Sequence, residues 1–293
     1  VTGDNAILAD PLFGNGANLT ANSPAIDAGL DIPQVEDDLN GTLRPVGNGY
    51  DIGCYEYGNP PEISLDRTTL NFGDTNGVTS SGQYFRITNS GGSNLNWTVT
   101  ADQSWITVSP SSGLDSGVVT VTVDPDGLDI NHHSGVITIN APNAPNSPKT
   151  VTVNLYMFTT ATAGGPFGDF STPGDGDTVR SSIPVSGWAL DETGIRSVES
   201  FRDNNIKIGD AVFVEGARPD VELFYPDYPS NNKAGWGYMR LTNALPNGDG
   251  TYVLHAVAED VEGNTTTLGT KTITVDNANA VKPFGAIDTP EQG

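Results

Sequence analysis

Two stretches of this sequence carry side chains whose types and spacing could do chemistry. In the first, Tyr225, Tyr228 and Trp236 follow closely on Arg218 and Asp220, with Asp227 among them. Aromatic faces stack on sugar rings, so Arg218, Tyr225, Tyr228 and Trp236 form a candidate contact for a sugar or a protein partner. The preferred alternative is that the rings fold back over a sheet while Arg218 and Asp220 fix the loop. In the second, Asp191 and Asp260 sit in paired A-x-D-x-x-G strings, Ala189–Gly194 and Ala258–Gly263. Two such aspartates at one domain end could share a calcium ion. Glu36-Asp37-Asp38 with Asp27 and Asp31 offer further oxygen ligands. For all of these, capping of turns through local backbone bonds is the preferred reading.

Other residues invite chemistry less. Trp97 and Trp105 are what a carbohydrate reader would pick, but each lies in an alternating run flanked by Thr and Ser, as a core tryptophan does. His132-His133 lacks a third ligand at suitable spacing and reads as a solvated turn. Asp124 to Asp129 begins like a calcium-binding loop but lacks the terminal Glu, so it reads as a turn. No nucleophile elbow, zinc-protease, paired-cysteine, phosphate-loop or dinucleotide motif occurs, and no catalytic residue is assigned. Calcium aside, no cofactor is expected.

The formal charge is −23, with nine acids against one base in residues 1–57, eight against three in 58–160 and nineteen against nine in 161–293. A chain so short of Lys and Arg is a poor partner for nucleic acid or anionic lipid. No segment reads as a membrane span. Cys54 is the single cysteine, which excludes a disulfide within the chain. Thr, Val, Asn, Ser and Asp are plentiful and long helical runs are absent, the composition of many short strands joined by turns.

Residues 1–57 hold only short apolar pieces between Asn, Gly, Asp and Pro turns. So few large apolar groups cannot close a core alone, which predicts stacking on a neighbour, as solenoid rungs do. Asp10-Pro11-Leu12-Phe13, Ser23 to Gly29, Asp38 with Gly41, Arg44-Pro45, Asp51-Ile52-Gly53 and Tyr55-Glu56 carry a resemblance. The segment resembles the C-terminal end of bacterial right-handed parallel β-helix proteins of the pectate-lyase-like kind. That resemblance implies a few final rungs, with any catalytic rungs upstream. Cys54 stands where the resemblance leads one to expect a small residue, and a buried, inert thiol is expected.

Residues 58–160 contain eight strand-like runs, among them TLNFG, QYFRITNS, GVVTVTVD and KTVTVNLYM, with the period of two of half-buried strands. They predict an antiparallel immunoglobulin-like sandwich. Asn89 to Gly92, Leu95-Asn96-Trp97, Ser104 to Val108, Ser112-Gly113 and Ser134 to Ile139 are similar to the BACON family, whose name records a proposed carbohydrate-binding role. Leu70 to Gly73 with Ile87 to Asn89 are similar to hydin-like immunoglobulin modules.

After a small-residue linker, TTATAGGPFG, residues 161–277 again read as strands and predict a second sandwich. The paired A-x-D-x-x-G strings resemble tandem bacterial Ig-like modules of surface proteins. Residues 216–238 form an insertion between strands. The string Pro283 to Gly293 repeats six of the eleven residues of Pro166 to Gly176, so 278–293 read as a linker and the start of a further repeat. The sequence thus predicts an all-β chain: final rungs of a parallel β-helix, then two immunoglobulin-like sandwiches in tandem. It points to a non-catalytic structural or adhesive segment of a large, secreted bacterial surface protein, with polysaccharide, neighbouring surface proteins or further copies of itself as partners. Assembly into a fibre through open strand edges is one expectation. A carbohydrate-binding accessory region of a polysaccharide-active enzyme is the alternative.

Overall fold

A computed structural model describes residues 9–279 except 15, 16, 48, 59, 93, 143, 246 and 247. The expected linker and further repeat at 278–293 lie almost wholly outside the described residues. What is described is all-β apart from a few short helical turns.

Among the described residues of 9–57 there is no strand, only isolated antiparallel bridges between Phe13 and Leu19 and between Asp37 and Leu43. The structure does not show the expected parallel β-helix rungs. Carboxylates hold this segment instead. Asp51 accepts the N–H of Asp27 at 2.8 Å through Oδ1, and that of Tyr57 through Oδ2. Glu56 accepts the N–H of Asp51 at 3.0 Å and of Val46 at 2.8 Å, and pairs with Arg44 at 3.1 Å. Asp38 takes two N–H groups on Oδ1, from Asn40 (2.7 Å) and Thr42 (2.8 Å), and that of Glu56 on Oδ2 at 3.1 Å. Asp38 thus caps its local turn, whereas Asp27, which accepts the Gly49 N–H at 3.0 Å, and Asp51 tie together pieces of backbone distant in sequence. Leu30, Ile32, Val35, Leu39 and Ile52 are exposed and line a hollow of about 700 Å³. Cys54 is exposed, correcting the expectation of a buried thiol: it lines that hollow instead of facing a core.

Among the described residues the first sandwich has ten strands: β1 (Ile63–Leu65), β2 (Thr69–Thr75), β3 (Val78–Thr79), β4 (Gln83–Asn89), β5 (Asn96–Ala101), β6 (Ile106–Ser109), β7 (Ser112–Leu114), β8 (Gly117–Val123), β9 (His132–Asn140) and β10 (Lys149–Phe158). They form a sheet in the order β1-β4-β8-β6 and another in the order β3-β2-β10-β9-β5-β7. All eight runs read from the alternation appear as strands, because every second residue turns inward: Phe85 and Ile87, Trp97 and Val99, Val119 and Val121, Ile137 and Ile139 are buried. Trp97 and Trp105 are both buried, as the core reading required. The Trp97 indole N–H donates to the Asp115 carbonyl at 3.1 Å. Gly113 and Gly117 make room for its ring, since a Cβ on either would lie 2.2 or 2.4 Å from it. His132 and His133 lie at the start of β9 rather than in a turn. His132 stacks on Tyr156 with centroids 4.5 Å apart, and His133 bonds the Asp129 carbonyl at 2.9 Å.

Among the described residues the second sandwich has nine strands: β11 (Phe167–Thr172), β12 (Thr178–Val179), β13 (Ser182–Leu190), β14 (Ile195–Arg202), β15 (Ile206–Asp210), β16 (Val212–Phe213), β17 (Gly235–Leu241), β18 (Gly250–Asp260) and β19 (Thr265–Val275). One sheet runs β11-β13-β17-β16, the other β12-β19-β18-β14-β15, with β12 parallel to β19. The core between them holds Phe170, Ile183, Val185, Val198, Trp236, Leu254, Ala256 and Ile273. Phe167-Gly168, expected in the linker, opens β11: this strand pairs with β13, and a Cβ on Gly168 would lie 2.1 Å from the Trp188 carbonyl oxygen. The insertion leaves β16, forms helix α1 (Pro219–Phe224) and returns at β17.

Candidate functional site

Of the four residues expected to make a ligand contact, Tyr225 and Tyr228 come together. They are half-buried and pack with Phe167 and Trp188 over Leu190, Val221 and Ala234. Phe167 meets both tyrosines at 5.2 Å between centroids, at 65° and 68°, the edge-to-face geometry that ring quadrupoles favour. Trp188 lies 5.5 Å from Tyr225. Burial raises the Tyr228 phenol above its ordinary pKa, with Glu192 and Asp191 adding to the rise. Trp236 is elsewhere: it is 2% exposed, in the main core, 5.9 Å from Phe170, and Gly187 clears space for its ring. Arg218 bonds Asp220 through two parallel contacts, Nε–Oδ1 at 2.9 Å and Nη2–Oδ2 at 2.7 Å. That hydrogen-bonded pairing draws the Asp220 carboxyl down to about 2 and raises Arg218. Leu223 and Phe224, which the sequence reading passed over, stand 80% and 78% exposed on α1.

The acidic candidates come together at one end of the second sandwich. Asp191 follows β13 and Asp260 ends β18; Ile195, the first residue of β14, pairs with Asp260 and so draws the two turns side by side. The Val261 N–H donates to the Gly194 carbonyl at 3.1 Å, tying one turn to the other. Each A-x-D-x-x-G string closes on a glycine at positive φ, 111° at Gly194 and 94° at Gly263, which an L side chain rarely adopts. Asp191 Oδ1 accepts the Thr193 N–H (2.8 Å), the Thr193 hydroxyl (2.7 Å) and the Gly194 N–H (3.1 Å). Asp260 accepts the Asn264 N–H at 2.8 Å on Oδ1 and its side-chain N–H at 2.9 Å on Oδ2.

Asn264 thus engages both oxygens of Asp260, while capping takes only Oδ1 of Asp191 and does not use up the site. Asp191 and Asp260 are both 0% exposed, and Asp191 Oδ2 has no hydrogen-bond partner. Burial pushes the Asp191 carboxyl up to about 6: the Thr193 bonds pull it down, while Glu192 and Asp260 push the same way as burial. Glu262 is the third member, missed in the sequence because it occupies the position that Thr193 fills in the first copy. One oxygen from each of Asp191, Asp260 and Glu262 lies within 4.8 Å of the others. Glu262 Oε1 also lacks a partner.

Residues 62–157 match the family model described as the viral BACON domain. This agrees with the resemblance read from Asn89 to Ile139. No curated protein matches the chain. Among solved structures, a chimeric titin Z1Z2 matches at 16% identity and a TM-score of 0.33, covering 75% of this chain and 99% of its own. The Clostridium thermocellum CbhA fibronectin(III)-like modules match at 11% identity and a TM-score of 0.28, covering 74% and 95%. A Bacteroides ovatus GH5 xyloglucanase in complex with a XXXG heptasaccharide matches at 16% identity and a TM-score of 0.28. That alignment covers 42% of this chain, which spans 27% of the xyloglucanase's length. The chain is a modular all-β protein with two β-sandwiches. The first of them is similar to the viral BACON domain.

Proposed function

We propose that this chain is a non-catalytic structural or adhesive segment of a larger modular protein of the bacterial cell surface. In this reading residues 1–57 close the end of a right-handed parallel β-helix, and the sandwiches space it from an anchor. The observation that carries it is the bare apolar face of the first segment: Leu30, Ile32, Val35, Leu39 and Ile52 stand exposed around one hollow. A contiguous apolar face of this kind marks a contact with another module or chain. The burial of Trp97, Trp105 and Trp236 supports the structural reading over the sugar-binding one.

The test is the intact mass of the protein isolated from its source, with sequencing of its terminal peptides. A mass well above 30.7 kDa is expected. A native protein of 30.7 kDa that sediments as a monodisperse monomer would sink the reading, and one of that mass that sediments as fibres would favour edge-to-edge assembly of this chain.

A second reading is a sugar or protein contact made by the insertion, and Leu223 and Phe224, exposed on α1 beside Tyr225, favour it. Electrophoresis through gels containing polysaccharide separates the two. Retardation that disappears in Phe224→Ala and Tyr228→Ala would support the contact; unretarded migration through a panel of glucans, xylans and pectins removes its sugar form.

A further inference from the structure

We infer that the second sandwich holds a calcium ion between Asp191, Asp260 and Glu262. Their three carboxylates bring one oxygen each within 4.8 Å of the others. Oxygens that share a Ca²⁺ stand about 2.3–2.6 Å from it, and so up to roughly 5 Å from one another. The set is all oxygen and wholly anionic, which suits a hard divalent cation and no soft metal.

Acidic clusters are common on a chain this negative, and the cluster alone would carry little. The distinguishing feature is Asp191 Oδ2. It belongs to a side chain shut off from solvent, and it meets no donor. Its sister oxygen already takes three donors from Thr193 and Gly194, so the turn needs nothing more from this carboxylate. A buried acceptor left unpaired is strongly unfavourable, and more so when ionised. Glu262 Oε1, also unpartnered, offers the cation a second free oxygen. Asn264 holds Asp260 and Glu262 in place, its side-chain amide donating to Asp260 Oδ2 at 2.9 Å and to Glu262 Oε2 at 3.2 Å. The tie between Val261 and Gly194 fixes the spacing of the two turns before any ion arrives. The inference does not depend on what the whole protein does.

The test uses the full chain, stripped with EDTA and then titrated with CaCl₂ by calorimetry at pH 7.5, with thermal unfolding followed in parallel. Saturable binding near one ion per chain is expected, with an unfolding midpoint raised by at least about 5 °C at a hundredfold excess over the dissociation constant. Asp191→Asn keeps the Oδ1 cap and the side chain's shape, and is expected to weaken binding at least tenfold. Glu262→Gln, on a partly exposed residue, gives the same answer should the first variant fold poorly by circular dichroism. Glu36→Gln, an exposed acid outside the cluster, binds like the original chain. No saturable binding, or undiminished binding in both Asp191→Asn and Glu262→Gln, would overturn the assignment.

Discussion

Asp38 and Asp191 are both buried aspartates that cap a turn, and the two regions use them in opposite ways. At Asp38 burial pushes the carboxyl up, but the N–H groups of Thr42, Glu56 and Asn40 outweigh it and hold it below the ordinary range. Both of its oxygens are occupied. At Asp191 burial wins, and the carboxyl rises to about 6 with one oxygen unoccupied. Each takes three donors, and their distribution decides whether the carboxylate is a brace or a site: both oxygens of Asp38 receive one or two, whereas all three at Asp191 fall on Oδ1. Residues 9–57, without strands or a large core, rely on braces. The second sandwich, whose sheets already hold it, can leave an acid partly unsatisfied.

The comparison is broken most severely by removing a brace's counter-ion. The Arg44 and Glu56 side chains are 8% and 0% exposed, so Arg44→Ala leaves the buried Glu56 charge with backbone N–H donors but no counter-ion. A loss of about 3–5 kcal/mol is expected in that segment. Amide exchange is the measurement: protection at Val46 and Asp51, whose N–H groups bond Glu56, should fall at least about a hundredfold. Leu254, in the core of the second sandwich, should hold its protection. Equal loss at both places would show that the segment is not held by its own acids.

The matched pair Asp38→Asn and Asp191→Asn tests the sign. Asp38→Asn sets an amide donor against an N–H and should destabilise by about 1–3 kcal/mol in urea unfolding. In a chelating buffer at pH 8, Asp191→Asn replaces a charge that burial disfavours and should stabilise by about 1–2 kcal/mol. A destabilisation in both would erase the distinction.

Acidity sharpens the same contrast. Asp38 has a folded pKa below its ordinary 3.8, so its contribution is complete above that value and is lost as pH falls through the folded pKa. Asp191 has a raised one, so its contribution is complete below the ordinary 3.8 and is lost as pH rises through about 6. The groups facing Asp191 are Glu192, Asp260, Glu262 and the Tyr228 phenol. Glu262, raised by its own burial, moves in the same sense. With EDTA present, calorimetric scans should show the second sandwich gaining about 1–2 kcal/mol between pH 7.5 and 5. The N-terminal segment should hold over that interval and weaken below about pH 4. A second sandwich indifferent to pH in EDTA would contradict the raised carboxyl.

The smallest effect is expected where no carboxylate oxygen is removed. Tyr228→Leu removes edge contacts with Phe167 and Tyr225 and should cost about 1 kcal/mol. It should leave calcium binding within about twofold, as isothermal titration would show, because its ring supplies no carboxylate oxygen.

Much of this was legible in the residues. Alternation in QYFRITNS or GVVTVTVD marks a strand because one face must be buried, and that physics is local. The A-x-D-x-x-G strings announced two like turns. Glu262 was not legible: nothing in the spacing says that the residue before the second glycine points at Asp191, since the pairing of β14 with β18 makes that encounter. β11 was missed because Pro, Phe and Gly read as linker; Phe167 earns its place only through rings far away in sequence. The insertion showed its aromatics but not their direction. The β-helix resemblance lay in residues such as Asp38, Arg44, Asp51 and Glu56, and what they build within this chain is a web of backbone bonds.

Cys54 is the single cysteine of this chain, and it is exposed on the N-terminal segment. In connectivity its valence is one. Oxidation can join this chain to one other molecule and no more, so disulfide cross-linking of this chain alone ends at pairs and never propagates. The same arithmetic makes the thiol an addressable handle: one maleimide dye or one surface tether attaches per chain, always at the same place, leaving both sandwiches unmarked.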